Sequence, residues 1–138
     1  IRDRGLTRYT AACLLSGYVW LAVAGATIAA AGLVPGTPAY DAALHALFVG
    51  FVFAMVFGHA PIILPAVLRV KLPYAPVFYL PLALLHAGVA LRMAGDAVGA
   101  LGVVRAGGVA NAVALGVFIV TAATAVVRGR RGGARRPA

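Results

Sequence analysis

Three histidines are the residues of this chain whose type and spacing could do chemistry. They are His45, His59 and His86, and each lies within a long hydrophobic stretch. Imidazole nitrogens bind haem iron, copper and zinc. A polar, ionisable side chain at membrane depth marks a functional site by default. We therefore predict that these histidines ligate a metal or cofactor; the alternative interpretation is that they join helices by hydrogen bonds.

The composition is typical of a membrane protein. Of the 138 residues, 63% are hydrophobic and only 11% are charged, whereas a soluble domain carries roughly 25% charged residues. The formal net charge of +9 comes mainly from arginines near both termini. Cytoplasmic flanks of membrane helices collect Lys and Arg, so we expect contact with the lipid bilayer and no nucleic acid partner.

Four hydrophobic stretches are long enough to cross a bilayer. They cover residues 9–34, 41–68, 76–94 and 102–127, and the third is close to the ~20-residue minimum. The sequence therefore predicts an all-α fold, an integral membrane four-helix bundle. We expect one domain over residues 1–138, with a basic tail at 128–138.

Lysine and arginine set the predicted orientation of these stretches. Arginines precede the first stretch and fill the tail, and Arg69 and Lys71 lie between the second and third. The loop after the first stretch has neither residue type. By the positive-inside rule, both termini are cytoplasmic. We expect a multi-pass protein of a bacterial cytoplasmic (inner) membrane.

The depths of the histidines permit two different haem pairs. His59 and His86 both lie about 15 Å from the predicted inner edge, at a rise of 1.5 Å per residue. His45 and His86 both lie about 6–9 Å from the outer edge by the same rule. Two imidazoles on facing helices can hold haem b, and the sequence does not choose between the pairs. The third histidine is left for a second site completed by Met55, Met93 or a partner chain, or for a proton or quinone contact.

One motif surrounds His45 on the second stretch. The segment is His45-Ala-Leu-Phe-Val-Gly50-Phe51, followed by Gly58, Pro61 and Pro65. It resembles the second-helix motif of haem–copper oxidase catalytic subunits and of the related haem–copper membrane proteins of the nitric-oxide response. The resemblance implies that His45 is a haem ligand and that Gly50 and Gly58 make room for the porphyrin.

The spacing of His45 and His59 also resembles the two-haem helices of respiratory cytochrome b. The chain lacks the copper-binding histidines of the first family and the fourth histidine of the second. It is therefore at most a reduced haem-binding bundle or one subunit of a larger assembly.

These residues favour a b-type haem-binding membrane protein that takes part in electron transfer as a subunit of a larger redox complex. No catalytic residue is predicted, and a stand-alone enzyme is disfavoured. One alternative is an accessory or structural subunit of a respiratory or photosynthetic complex, in which the histidines ligate a chlorin pigment or nothing. Another is a small metal-ion or proton transporter with a polar path that includes Asn111. Copper is the alternative metal, and the expected partners are other membrane subunits or a second copy, and a quinone.

Overall fold

Helices form nearly all of the chain in the computed structural model, which describes residues 2–69 and 73–133. Five α-helices are present there: α1 (Arg2–Ala31), α2 (Pro38–His45), α3 (Phe53–Leu68), α4 (Tyr79–Val98) and α5 (Leu101–Gly133). A π-helical segment, Ala46–Val52, joins α2 to α3 without a break, and a 3-10 turn, Pro76–Phe78, leads into α4. The described residues thus form four long helices.

These four helices agree with the predicted hydrophobic stretches. Each is long and apolar enough to cross a membrane, over Gly5–Ala31, Pro38–Leu68, Pro76–Val98 and Leu101–Arg130. The prediction of an all-α fold with four such helices is confirmed. Lys71 and the end of the predicted tail, residues 134–138, lie outside the described residues.

Local backbone chemistry explains where the helices begin and end. α1 ends at Ala31 because Gly32 follows with φ +73°, a conformation that favours glycine. α2 begins after Thr37, whose Oγ1 accepts a hydrogen bond from the Tyr40 N–H at 3.2 Å. Pro38 lacks a backbone N–H, but it is tolerated in the first turn because an N–H there would have no partner within the helix. α4 extends beyond the predicted end at residue 94, to Val98, where Gly99 adopts φ +69°.

The second long helix is less regular than the predicted uniform α-helix. Its π-helical segment, in which hydrogen bonds span five residues rather than four, separates His45 from His59. In a uniform α-helix the two rings would point in directions about 40° apart around the helix axis. The wider turn of the π-helical segment changes this angle. Pro61 and Pro65 lie inside α3, and α3 continues past them to Leu68.

The bundle consists of two helix pairs. α1 packs along the continuous α2–α3 helix, and α4 packs along α5. Stacked rings of Phe57 and Phe118, with centroids 3.9 Å apart, join the two pairs. Near the start of α1, the fully buried Tyr9 lies against Tyr74, Phe78 and Tyr79. The core therefore includes aromatic contacts between the helix pairs beside small and aliphatic side chains, and Tyr9 is part of it.

Outward faces of the helices carry large apolar side chains. Leu15, Val67 and Ile119 are 70%, 70% and 65% exposed. Such a surface is costly in water.

Candidate functional site

His86 lies on α4 and joins it to α1 through both ring nitrogens. The Trp20 Nε1–H donates to Nδ1 of His86 at 2.8 Å. Because indole is only a donor, Nδ1 is the unprotonated nitrogen. Nε2–H then donates to the Ser16 hydroxyl at 2.8 Å, and this hydroxyl donates to the Ala12 carbonyl at 2.7 Å. His86 is thus fully engaged in helix-to-helix hydrogen bonds and presents no free nitrogen.

His45 has the opposite arrangement at the end of α2. Its Nδ1 lies 2.8 Å from the carbonyl oxygen of Asp41. A carbonyl can only accept, so Nδ1 carries the proton and Nε2 keeps its lone pair. The side chain is 29% exposed. Metal-bound histidines usually have this arrangement, in which one ring N–H donates to a carbonyl and orients the ring.

His59 repeats the arrangement on α3. Its Nδ1 donates to the Met55 carbonyl at 2.7 Å, which again leaves Nε2 as a free acceptor. The side chain is exposed on the outside of the bundle. His45 and His59 therefore each offer one donor atom, on one continuous helix, whereas His86 offers none.

The glycines expected to admit a porphyrin face α1 instead. A Cβ on Gly50 would lie 2.5 Å from Cγ of Trp20, and a Cβ on Gly58 would lie 2.8 Å from Cβ of Cys13. Glycine at both positions lets α1 approach the second long helix closely. A porphyrin in front of either glycine would require α1 to move away.

Four polar side chains meet where α2 and α4 cross. Arg92 of α4 donates from Nε to Asp41 Oδ2 at 2.9 Å and from Nη2 to Asp41 Oδ1 at 3.1 Å. His45 lies beside the same carboxylate, with Nδ1 3.4 Å from Oδ1. Asp96, one turn beyond Arg92, interacts with both Asp41 and Arg92. We call these four residues the polar cluster.

A cavity of 670 Å³ lies next to the polar cluster. Its walls come from the end of α1, the following loop, the start of α2 and the end of α4, and include Thr27, Ala31, Val34, Ala42, Met93 and Asp96. The Oδ2 atom of Asp96 is buried and accepts no hydrogen bond from the described residues. The polar part of this otherwise mainly apolar cavity therefore includes an unused acceptor.

Cation-binding groups are scarce in the described part of the chain. No three His, Cys, Asp or Glu side chains there are grouped so that they could hold a metal ion. The Arg92 guanidinium already occupies the Asp41 carboxylate. The three histidines therefore do not form one enclosed metal centre within residues 2–69 and 73–133.

A family profile for a domain of unknown function (DUF8744) matches residues 1–127. The chain belongs to this family. No curated protein and no solved structure matches it.

The structure also shows polar contacts of this DUF8744 domain that were not predicted. Trp20 of α1 donates a hydrogen bond to His86 of α4. Ser16 and Trp20 are four residues apart and so share one face of α1, a signal that could have indicated a polar partner on another helix. Asp41 and Arg92 stood at the same predicted edge with opposite charges, which could have indicated their ion pair.

Asn111 of α5 lies against Gly88 of α4 at the contact between these helices. It is buried, and its side-chain oxygen and nitrogen form no hydrogen bond within the described residues. Asn111 therefore forms no hydrogen-bonded link between helices within the described part of the chain. The polar path predicted through Asn111 and the histidines also receives no connecting hydrogen bond among the described side chains.

Proposed function

We propose that this domain is a membrane-embedded electron-transfer subunit that supplies histidine ligands to b-type haem. The observation that carries the proposal is the shared geometry of His45 and His59. Each ring fixes Nδ1–H on the carbonyl four residues earlier and leaves Nε2 free. This is the preparation that haem and metal ligands need, since the bonded N–H sets both the tautomer and the ring direction.

The position of the two free nitrogens favours haem shared with another chain. His45 is half-buried and His59 is exposed, so neither ring points into an enclosed site within this bundle. Fourteen residues of helix separate them by about 21 Å, too far for one iron. Each histidine would therefore hold a separate haem, together with a donor from a neighbouring subunit or a second copy.

The residues fit haem in part. His45 and His59 fit as axial donors, and the resemblance of the His45 segment to the haem–copper oxidase motif agrees with this role. Gly50 and Gly58 do not fit as the faces that admit the porphyrin, because Trp20 and Cys13 occupy them. Bound haem would supply one-electron chemistry at a potential that its axial ligands and its burial set.

A bacterial cytoplasmic membrane is the proposed location. Four apolar helices and an outward surface of large apolar side chains support insertion in a bilayer. Arginines at both ends of the chain support an orientation with both termini in the cytoplasm. The α1–α2 loop, the polar cluster and His45 then lie near the outer edge of the bilayer, and His59 lies deeper.

Haem content of single-histidine variants tests the proposed ligands. The protein is purified from its own membranes in mild detergent, and haem is quantified per polypeptide for His45→Ala, His59→Ala and His86→Gln. We expect each of the first two to lose roughly half of the bound haem, since each removes one of two axial donors. His86→Gln is the matched control, because Gln also offers an acceptor and a donor.

Two results would contradict the assignment. Unchanged haem content in both alanine variants would show that His45 and His59 are not ligands. Loss of haem only on replacement of His86 would show that His86 is the ligand. Its hydrogen bonds to Trp20 and Ser16 would then have to break when haem binds.

A second candidate function is that of an accessory membrane subunit without a cofactor. It is favoured by the complete use of His86 in helix contacts and by the filled faces of Gly50 and Gly58. A protein that is colourless when purified, yet lost from the membrane when neighbouring subunits are deleted, would support this candidate.

A further inference from the structure

We infer that the cavity beside the polar cluster binds the reduced headgroup of a membrane quinol, with Asp96 as the acceptor for its hydroxyl group. The inference rests on the proposed electron-transfer function for its biological role. Binding itself depends only on the cavity and its lining.

Asp96 provides the first argument, because one of its carboxylate oxygens is unused. Oδ2 is shielded from solvent and has no hydrogen-bond partner among the described residues. A buried carboxylate oxygen without a donor is costly. A ligand hydroxyl in the adjacent cavity would satisfy it with a hydrogen bond.

Charge balance in the polar cluster provides the second argument. Asp41 and Asp96 are two carboxyl groups within hydrogen-bond reach of each other, and the single guanidinium of Arg92 is already bonded to Asp41 at 2.9 and 3.1 Å. Arg92 therefore leaves Asp96 with acceptor capacity to spare. A neutral hydrogen-bond donor meets this need without another charge having to enter an apolar region.

The other polar side chains of the cavity determine which oxidation state fits. Thr27 already donates its hydroxyl proton to the Val23 carbonyl at 2.9 Å, and Thr37 donates to the Val34 carbonyl at 2.8 Å. Both therefore present oxygen, not hydrogen, to a ligand. Since a quinone carries only acceptors and a quinol carries two hydroxyl donors, the side chains favour the quinol.

Size and access agree with an isoprenoid-type ligand. The 670 Å³ volume lies within the range of about 300–1,000 Å³ that is typical of small-molecule sites. Ala31 and Val34 line the cavity and are nevertheless exposed, so the cavity opens to the surroundings. An aliphatic tail can leave through this opening while the ring lies against Asp96.

Calorimetric titration of the protein in lipid nanodiscs tests the inference. The probes are a short-chain benzoquinol and the corresponding benzoquinone, both under anaerobic conditions. We expect the quinol to bind about tenfold more tightly than the quinone, as the gain of one such hydrogen bond implies. Asp96→Asn should weaken quinol binding by about tenfold, and the added amide donor should remove the preference.

Two further variants separate the site from effects on folding. Ala31→Leu places an apolar side chain at the exposed edge of the cavity and should weaken both probes. Val98→Ala, on the same helix as Asp96 but 75% exposed and away from the cavity, should bind like the unchanged protein. Equal affinity for quinol and quinone, or unchanged quinol binding in both Asp96→Asn and Ala31→Leu, would overturn the inference.

Absorption spectra of the same preparations keep this inference distinct from the proposed function. Selective quinol binding by a protein that carries no haem would leave the site in place and refute the electron-transfer role. Bound haem without any preference for the quinol would support the electron-transfer role and refute the quinol site.

Discussion

At the scale of single residues, the three histidines differ in what their ring nitrogens have left to offer. Both ring nitrogens of His86 are hydrogen-bonded, one to Trp20 and one to Ser16. In His45 and His59 only Nδ1 is hydrogen-bonded, to a carbonyl of the same helix. The same residue type therefore serves helix packing at one position and offers a ligand atom at the other two.

Removal of the His86 ring should destabilise the bundle. His86→Ala leaves the Trp20 N–H and the Ser16 hydroxyl oxygen without their partner, and side-chain hydrogen bonds between membrane helices contribute about 0.6–1.7 kcal/mol each. We expect a loss of about 1–3 kcal/mol, measured by thermal unfolding in detergent with circular dichroism. Leu15→Ala is the control, since this side chain of α1 is 70% exposed and has no hydrogen-bonding group. Equal stability of the two variants would contradict this role of His86.

At the scale of the elements, glycines decide how closely helices approach. A Cβ on Gly107 of α5 would lie 2.6 Å from the Arg92 backbone nitrogen and 2.7 Å from the Gly88 carbonyl oxygen. These are backbone atoms and cannot rotate away. Gly116, also on α5, has nothing within 4 Å of its Cβ position.

This difference gives a matched pair of variants on one helix. Gly107→Ala should separate α4 from α5 and cost about 1–3 kcal/mol, as overpacking does. Gly116→Ala should be neutral or slightly stabilising, because Ala has the better helix propensity. Thermal unfolding of both variants checks the expectation, and a Gly107→Ala protein as stable as the unchanged chain would rule out the close approach.

Hydrophobic stretches of the sequence predicted the four long helices, because length and apolar composition alone decide which segments can span a bilayer. The π-helical segment Ala46–Val52 could not be predicted, since apolar composition does not distinguish a π-helical turn from an α-helical one. The same limit applied to His86. Its depth agreed with both haem pairs, but only the fold shows that Ser16 and Trp20 occupy its nitrogens. The sequence does show Asp41 and Arg92, with opposite charges, at the same predicted edge of the bilayer. Their ion pair could have been predicted from this, but it was not.

At the scale of the whole molecule, the proposed orientation places the α1–α2 loop outside and the end of α5 in the cytoplasm. Cys13 is the only cysteine, so Cys13→Ala gives a background for single-cysteine labelling. Pro35→Cys should react with a membrane-impermeant maleimide in intact cells. Arg128→Cys should react only after lysis, because the basic end of the chain is held inside. The opposite pattern would refute the orientation and the assignment of the polar cluster to the outer edge.

The central claim is that this bundle carries haem on His45 and His59. The most direct measurement is a reduced-minus-oxidised absorption spectrum of the protein, purified in mild detergent from its own membranes with the subunits that accompany it. We expect a Soret shift and the α and β bands of b-type haem, and these bands should diminish in His45→Ala and His59→Ala. A flat difference spectrum, or the bands of a chlorin, would contradict it.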